Sequence, residues 1–317
     1  MIGASHTPLG PGAEFDRIRR ALARLGANAA GAGDDCAFVE VGAERLALSC
    51  DLTIEHTHFR PGWLAPAELG WRATAAALSD LAAVAARPLG VLASVAVPGE
   101  WPEEQFAELM EGVGDAARFA GAVVWGGDLV RADRVAVDVM VVGRLDGDPV
   151  RRSGAQVGDE LWVTGELGGP FRAVAAWNAG MEPEETARAR FAHPVPRVRE
   201  ALWLKERGAR AMIDLSDGLV ADAGHLAAAS GVGVALDPDL VPLHPAVEVV
   251  DEALASGEEY ELLLALPPGV GAAAAPAFRA AFDLPLTRVG VVEQGAGVEV
   301  RRRSGPVSLP PLFAHFG

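Results

Sequence analysis

The residues best suited to do chemistry are aspartates set beside glycines. Asp34 and Asp35 follow Gly33, Asp51 closes Leu48-Ser49-Cys50-Asp51, and Asp128 closes Gly126-Gly127-Asp128. Asp214 and Asp217 share the run Ile213-Asp214-Leu215-Ser216-Asp217-Gly218. Each reads as the end of a strand or the start of a turn, where ligands gather in α/β sheets. A glycine beside an aspartate lets a phosphate or an ion come close to the backbone. Magnesium takes several hard oxygen ligands in octahedral array, and carboxylates together with substrate phosphates supply them. Any one of these motifs is weak, because Asp-Gly and Asp-Asp pairs are ordinary turn formers. The set is harder to dismiss, since acids gathered in one place repel one another.

Asp80 differs from these. It lies inside a predicted helix, in Ala76-Ala77-Leu78-Ser79-Asp80-Leu81-Ala82-Ala83, with apolar residues on nearly every side. A helix apolar all round is buried, and a buried carboxylate needs a cation. That cation is either a metal ion, the reading preferred here, or an arginine of the core.

Charge narrows the partners. The net charge of -16 argues against a nucleic-acid-binding face, which needs a basic patch. Lys205 is the only lysine, so a bound nucleotide would meet an acidic protein with no phosphate-gripping lysine. Metal ions would then have to bridge two sets of negative charge. No run of apolar residues is long enough to span a membrane. The opening Met1-Ile2-Gly3-Ala4-Ser5-His6 lacks the pattern of a signal peptide. Cys36 and Cys50 sit in apolar strand-like runs and read as buried thiols in a reducing cytoplasm.

The elements that must position the acids alternate between strand and helix, which predicts an α/β (α+β) chain of two domains. Helices are expected over Glu14 to Leu25, Pro66 to Ala86 and from Pro102 to about Gly121. Strands are expected at Cys36 to Val41, Arg45 to Cys50, Val91 to Val97 and Arg134 to Leu145, with Val123-Val124-Trp125 leading into the Gly-Gly-Asp turn. Asp146-Gly147-Asp148-Pro149 predicts a boundary between domains 1–147 and 148–317. Beyond it, strands are expected at Leu161-Trp162-Val163, Ala211-Met212-Ile213, Glu261 to Leu266 and Leu286 to Val292.

Taken in order, eight segments resemble the motifs of the thiamine-monophosphate kinases, members of the aminoimidazole ribonucleotide synthetase superfamily. They are Gly33-Asp34-Asp35-Cys36-Ala37, Ser49-Cys50-Asp51, Glu55-His56-Thr57-His58-Phe59, Leu78-Ser79-Asp80-Leu81-Ala82, Gly126-Gly127-Asp128, Arg152-Ser153-Gly154-Ala155 with Gly158-Asp159, Asp214-Leu215-Ser216-Asp217-Gly218-Leu219, and Gly257-Glu258-Glu259-Tyr260-Glu261-Leu262. The resemblance covers nearly the whole chain. It implies transfer of the γ-phosphoryl group of ATP to thiamine monophosphate, an N-terminal domain that pairs in a homodimer, and an active site between the two domains. It further implies that Asp35, Ser49, Asp51, Asp80, Asp128, Asp214 and Asp217 are magnesium ligands, with Cys50 contributing its backbone carbonyl. Gly127, Asp128, Arg152 and Ser216 become nucleotide contacts, and His58, Glu258 and Phe313 contacts to the thiamine substrate. Asp51, Asp80, Asp128, Asp214 and Arg152 form the catalytic set.

Blander readings stand beside these. Arg152 belongs to the basic pair Arg151-Arg152 and could be a surface arginine; Phe313 could pack the C-terminal tail. The pair His56 and His58 invites a zinc reading, but no third ligand stands at metal-site spacing. The chain departs from the family at Cys50, usually threonine, at Glu259, usually aspartate, and around Met110-Glu111-Gly112, which lacks an aromatic residue often found near the adenine. Two rivals remain. One is a related synthetase of selenophosphate or of hydrogenase maturation, disfavoured by an N-terminus without cysteine or lysine and by the ending Ala314-His315-Phe316-Gly317. The other is a catalytically silent nucleotide sensor, disfavoured by the intact set of acids.

Overall fold

A computed structural model describes residues 6–29 and 31–302. Its strands are β1 (Ala37–Val41), β2 (Glu44–Ile54), β3 (Arg87–Val97), β4 (Val123–Arg131), β5 (Ala136–Arg144), β6 (Glu160–Thr164), β7 (Ala211–Asp214), β8 (Gly233–Leu236), β9 (Leu262–Leu266), β10 (Leu286–Glu293) and β11 (Gly297–Val300). Its α-helices are α1 (Ala13–Leu25), α2 (Pro66–Ala83), α3 (Glu103–Phe119), α4 (Gly169–Asn178), α5 (Glu185–Ala192), α6 (Val198–Lys205), α7 (Leu219–Ser230), α8 (Val250–Leu254) and α9 (Val270–Phe282).

The strands form two sheets. The first has the order β1-β2-β5-β3-β4, with only β3 and β4 running parallel. The second has the order β11-β8-β10-β6-β9-β7, antiparallel except between β11 and β8. Each sheet therefore belongs to one half of the chain and carries its own core.

Helix α2 connects the halves. Its alanine-rich sequence leaves almost no polar face, and burial extends around it from Leu69 to Ala83. It lies against β2 and β5 of the first sheet and against α5, α6 and β7 of the second half. Against α3 the approach is close enough to demand glycine on both helices. A Cβ at Gly70 would fall 1.9 Å from the Leu109 carbonyl oxygen, and one at Gly112 would fall 1.9 Å from that of Ala67. Across the halves, Arg188 pairs with Glu68 through both its terminal nitrogens (2.8 and 2.7 Å), and the Trp71 indole donates to the Pro194 carbonyl at 2.9 Å.

Several expectations need correction. Helix α2 ends at Ala83, because Ala85 takes a left-handed φ of 54° and the chain turns straight into β3. Strand β2 runs on to Ile54 and β4 to Arg131, so Asp51 and Asp128 stand inside strands rather than at their ends. Cys36 is buried, but Cys50 is exposed: alternation along β2 turns Cys50 and Leu52 out while Ala47 and Thr53 go into the core.

Candidate active site

The two halves enclose a cleft of about 740 Å³. Asp35 reaches it from the bend before β1, Asp51 from β2, Asp80 from α2, and Asp214 from the end of β7, followed by the loop bearing Ser216 and Asp217. Carboxylate oxygens of Asp35, Asp80 and Asp214 lie within 4.8 Å of one another. Three acids from distant parts of the sequence thus meet at a single point.

Their electrostatics show how poorly that charge is compensated. Burial, then the neighbouring Asp138, Asp217 and Asp35, pushes Asp51 up to about 6. Burial and Asp35 push Asp214 up to about 7, against the opposing pull of Arg152. Asp80 is raised well above the usual carboxylate range by burial and by Asp51, Asp214 and Asp35. Its side chain accepts a hydrogen bond of 2.5 Å from the Ser49 hydroxyl, and no arginine pairs with it among the described residues. The arginine-paired reading of Asp80 therefore fails here.

Arg152 is the main cation of the site. It reaches Asp35 with two parallel hydrogen bonds, Nε to Oδ2 at 3.0 Å and Nη2 to Oδ1 at 2.6 Å, while its backbone N–H donates to Asp34 at 3.2 Å. Despite burial, Asp35, then Asp214 and Asp34, hold its guanidinium firmly charged. It is not a surface arginine. The donor set is all hard oxygen, clustered and short of positive charge, which suits a small divalent cation such as magnesium.

Of the residues expected on the substrate side, His58 and Glu258 line the same cleft. His58 accepts from the Ile54 N–H through Nδ1 at 3.0 Å, which places the proton of the neutral ring on Nε2. Glu258 also lines the cleft, in the loop before β9. His56 and His58 belong to neither of the potential metal clusters among the described residues.

Two predicted contacts lie elsewhere in the chain. Gly127 and Asp128 sit in β4, every residue of which is exposed, and neither lines the cleft. Gly127 has a separate packing reason to be glycine, since a Cβ there would come 1.8 Å from the Ala93 carbonyl oxygen of β3. Asp128 Oδ1 accepts from the backbone N–H of Leu129. Phe313 lies outside the described residues.

Other residues escaped the sequence reading. Asp138 faces Leu52 across the β2–β5 ladder and is the strongest charged neighbour of Asp51. Its signal was an acid inside the apolar run Ala136-Val137-Asp138-Val139. Asp222 accepts from the N–H groups of Asp217 and Gly218 (3.1 and 3.0 Å) and so shapes their turn. His225, three residues further along α7, completes a second group with Asp217 and Asp222. Their one-turn spacing on a helix was the available clue.

Comparisons with known proteins match both halves of the chain. Residues 33–145 match the family model of the AIR synthase related protein, N-terminal domain, and residues 156–303 match that of its C-terminal domain. The thiamine-monophosphate kinase of Methanopyrus kandleri is 35% identical over 281 residues, 86% of either chain. The chain belongs to the thiamine-monophosphate kinase family. The relative from Mycobacterium tuberculosis is 38% identical over 229 residues, covering 72% of this chain and 69% of that one. Among solved structures of the family, AaThiL complexed with AMPPCP and TMP superposes with a TM-score of 0.83 at 29% identity, covering 96% of this chain and 97% of that one.

Proposed function

We propose that this enzyme phosphorylates thiamine monophosphate to thiamine diphosphate with ATP, by direct in-line transfer assisted by several magnesium ions. The observation that carries the reading is the convergence of Asp35, Asp51, Asp80 and Asp214 on one cleft, where burial and neighbouring acids drive the carboxyl groups of Asp51, Asp80 and Asp214 toward protonation. Bound magnesium ions would relieve that repulsion and screen the charges of the two phosphate substrates. Asp35, Ser49, Asp51, Asp80, Asp214 and Asp217 are the residues to hold them, with the Cys50 carbonyl beside them.

The acceptor oxygen of thiamine monophosphate is already anionic, so the reaction needs no strong general base. Its obstacle is the approach of two anions. Arg152 offsets part of that repulsion, and its two bonds to Asp35 fix the direction of its guanidinium before either substrate arrives. Ser216 contacts the nucleotide. His58 and Glu258 hold the thiamine end, the carboxylate facing a cationic ring. No phosphoenzyme forms.

The working unit is a homodimer in the cytoplasm, its domains divided at 147/148. The pairing surface is the open face of the first sheet together with its edge strand β4, where Leu52, Trp125, Leu129 and Val130 are all about half exposed. Asp128 and Gly127 lie on that surface, so their nucleotide role is tied to the dimer rather than to the cleft of one chain.

Incubation with MgATP and thiamine monophosphate should yield thiamine diphosphate and ADP in equal amounts. A chelator should abolish turnover and excess magnesium restore it. ATP hydrolysis without thiamine diphosphate would overturn the proposal. On the substrate side, His58→Ala and Phe313→Ala should raise KM for thiamine monophosphate with little change for MgATP.

A further inference from the structure

Arg72 is among the largest fully buried side chains described, only 2% exposed in the middle of an alanine-rich helix. A guanidinium so placed must be paired, because an isolated buried charge is not tolerated. Its partners all come from the other half of the chain. It forms an ion pair with Glu258, donates to the Phe191 carbonyl, and lies over the Phe191 ring at 3.7 Å. The ring of Tyr260 is 6.0 Å away.

The loop that bears Glu258 is held in an unusual shape. Glu258 and Tyr260 have φ values of 63° and 53°, a left-handed backbone that side chains disfavour. The backbone N–H of Glu258 donates to Ser216 O at 2.7 Å, and that of Tyr260 donates to Leu215 O at 2.8 Å. Glu259, between them, turns away and accepts from the Ser256 hydroxyl at 2.6 Å and from the Gly168 N–H. These bonds fix the backbone, and the cleft-facing Glu258 carboxylate is then held by Arg72.

We propose that Arg72 is a positioning residue for the acceptor substrate: from inside α2 it holds the Glu258 carboxylate in the orientation that receives the cationic ring of thiamine monophosphate. The inference rests on the substrate-side reading of Glu258 given above. Without Arg72, the side chain of Glu258 is ordered only when substrate binds, and the cost of that ordering appears in the affinity for the acceptor.

The test is a double-mutant cycle on the full-length enzyme, read as KM for each substrate, with thermal melts to establish folding. Arg72→Gln removes the charge, Arg72→Lys keeps it, and Glu258→Gln removes the partner. Arg72→Gln should raise KM for thiamine monophosphate about tenfold or more, with KM for MgATP within about twofold. Arg72→Lys should recover most of the loss, and Arg72→Gln should add nothing in the Glu258→Gln background. Multiplying losses in the double variant, a parallel rise in KM for MgATP, or equal damage from lysine and glutamine would each overturn the proposal. If Arg72→Gln does not fold, the lysine variant decides. Its small effect should vanish in the Glu258→Gln background, and a further rise there would refute the role. A wild type that makes no thiamine diphosphate would instead refute the function itself, before any variant is compared.

Discussion

Ser49 donates its hydroxyl to the Asp80 carboxylate across 2.5 Å, joining β2 to the buried helix α2. The hydroxyl is a neutral partner, so the contact orients Asp80 without cancelling its charge. Asp80 therefore stands among Asp51, Asp214 and Asp35, which together with burial raise it well above the usual carboxylate range.

Asp80→Asn keeps shape and hydrogen bonding but removes one negative charge. The metal-free variant should melt at or above the temperature of wild type, while activity falls about 100-fold or more, the scale of losing a key electrostatic group at ~3 kcal/mol. Wild type should gain stability with MgATP by mass action, and the variant much less. A large drop in metal-free stability with the ligand response intact would remove Asp80 from the metal site.

Arg152→Gln should act with the opposite sign on stability. It strands Asp35 among other acids, and loss of one partner of a buried pair costs about 3 kcal/mol or more. Denaturant titration of the metal-free proteins would measure it. A variant as stable as wild type would show that the Arg152–Asp35 pair contributes little.

The cluster also sets a pH dependence. Asp51 at about 6 and Asp214 at about 7 lie above the unfolded aspartate value of about 3.9. The folded chain therefore holds protons that the unfolded chain has released, and stability falls as pH rises from about 4 to 7. His225, lowered by burial to about 4, works the other way below about 6.5, because there the unfolded chain binds the extra proton. Above that, the acids act without this opposition. Chelated enzyme should lose melting temperature between about pH 6.5 and 8, and magnesium should reduce the loss by taking the place of the protons. A flat or rising profile in chelator would contradict the proposed crowding of charge.

Leu129→Asp, on exposed β4, should convert a dimer into a monomer in sedimentation velocity. Wild type sedimenting as a monomer at micromolar concentration would discard this surface as the pairing face.

The acids were legible because chemistry restricts them to few neighbours. An aspartate inside an alanine-rich helix, as at Asp80, conflicts with simple packing and so stands out, whereas the aspartates beside glycines stand out only as a set. The order of the main helices followed from hydrophobic periodicity. What periodicity does not encode is which side of a strand meets solvent. Cys50 and Asp128 both sit in apolar runs, and only the sheet order β1-β2-β5-β3-β4 leaves their positions open. Strands β8 and β11 were missed as four-residue segments too short to show alternation. Arg72 was invisible for a different reason. Its partner Glu258 is far away in sequence, and nothing local distinguishes a buried arginine from a solvated one.

The reciprocal glycines of α2 and α3 give the first helix the character of a ruler. Arg72 and Asp80, proposed above to serve the acceptor and metal ends of the cleft, are separated by about 12 Å of helical rise and about 80° of rotation beyond two full turns. With Gly70 and Gly112 locking the helix against its neighbour, neither distance nor bearing can adjust. A single residue inserted between them would swing one charge by about 100° relative to the other. Length changes should therefore be far less tolerated in this segment than substitutions.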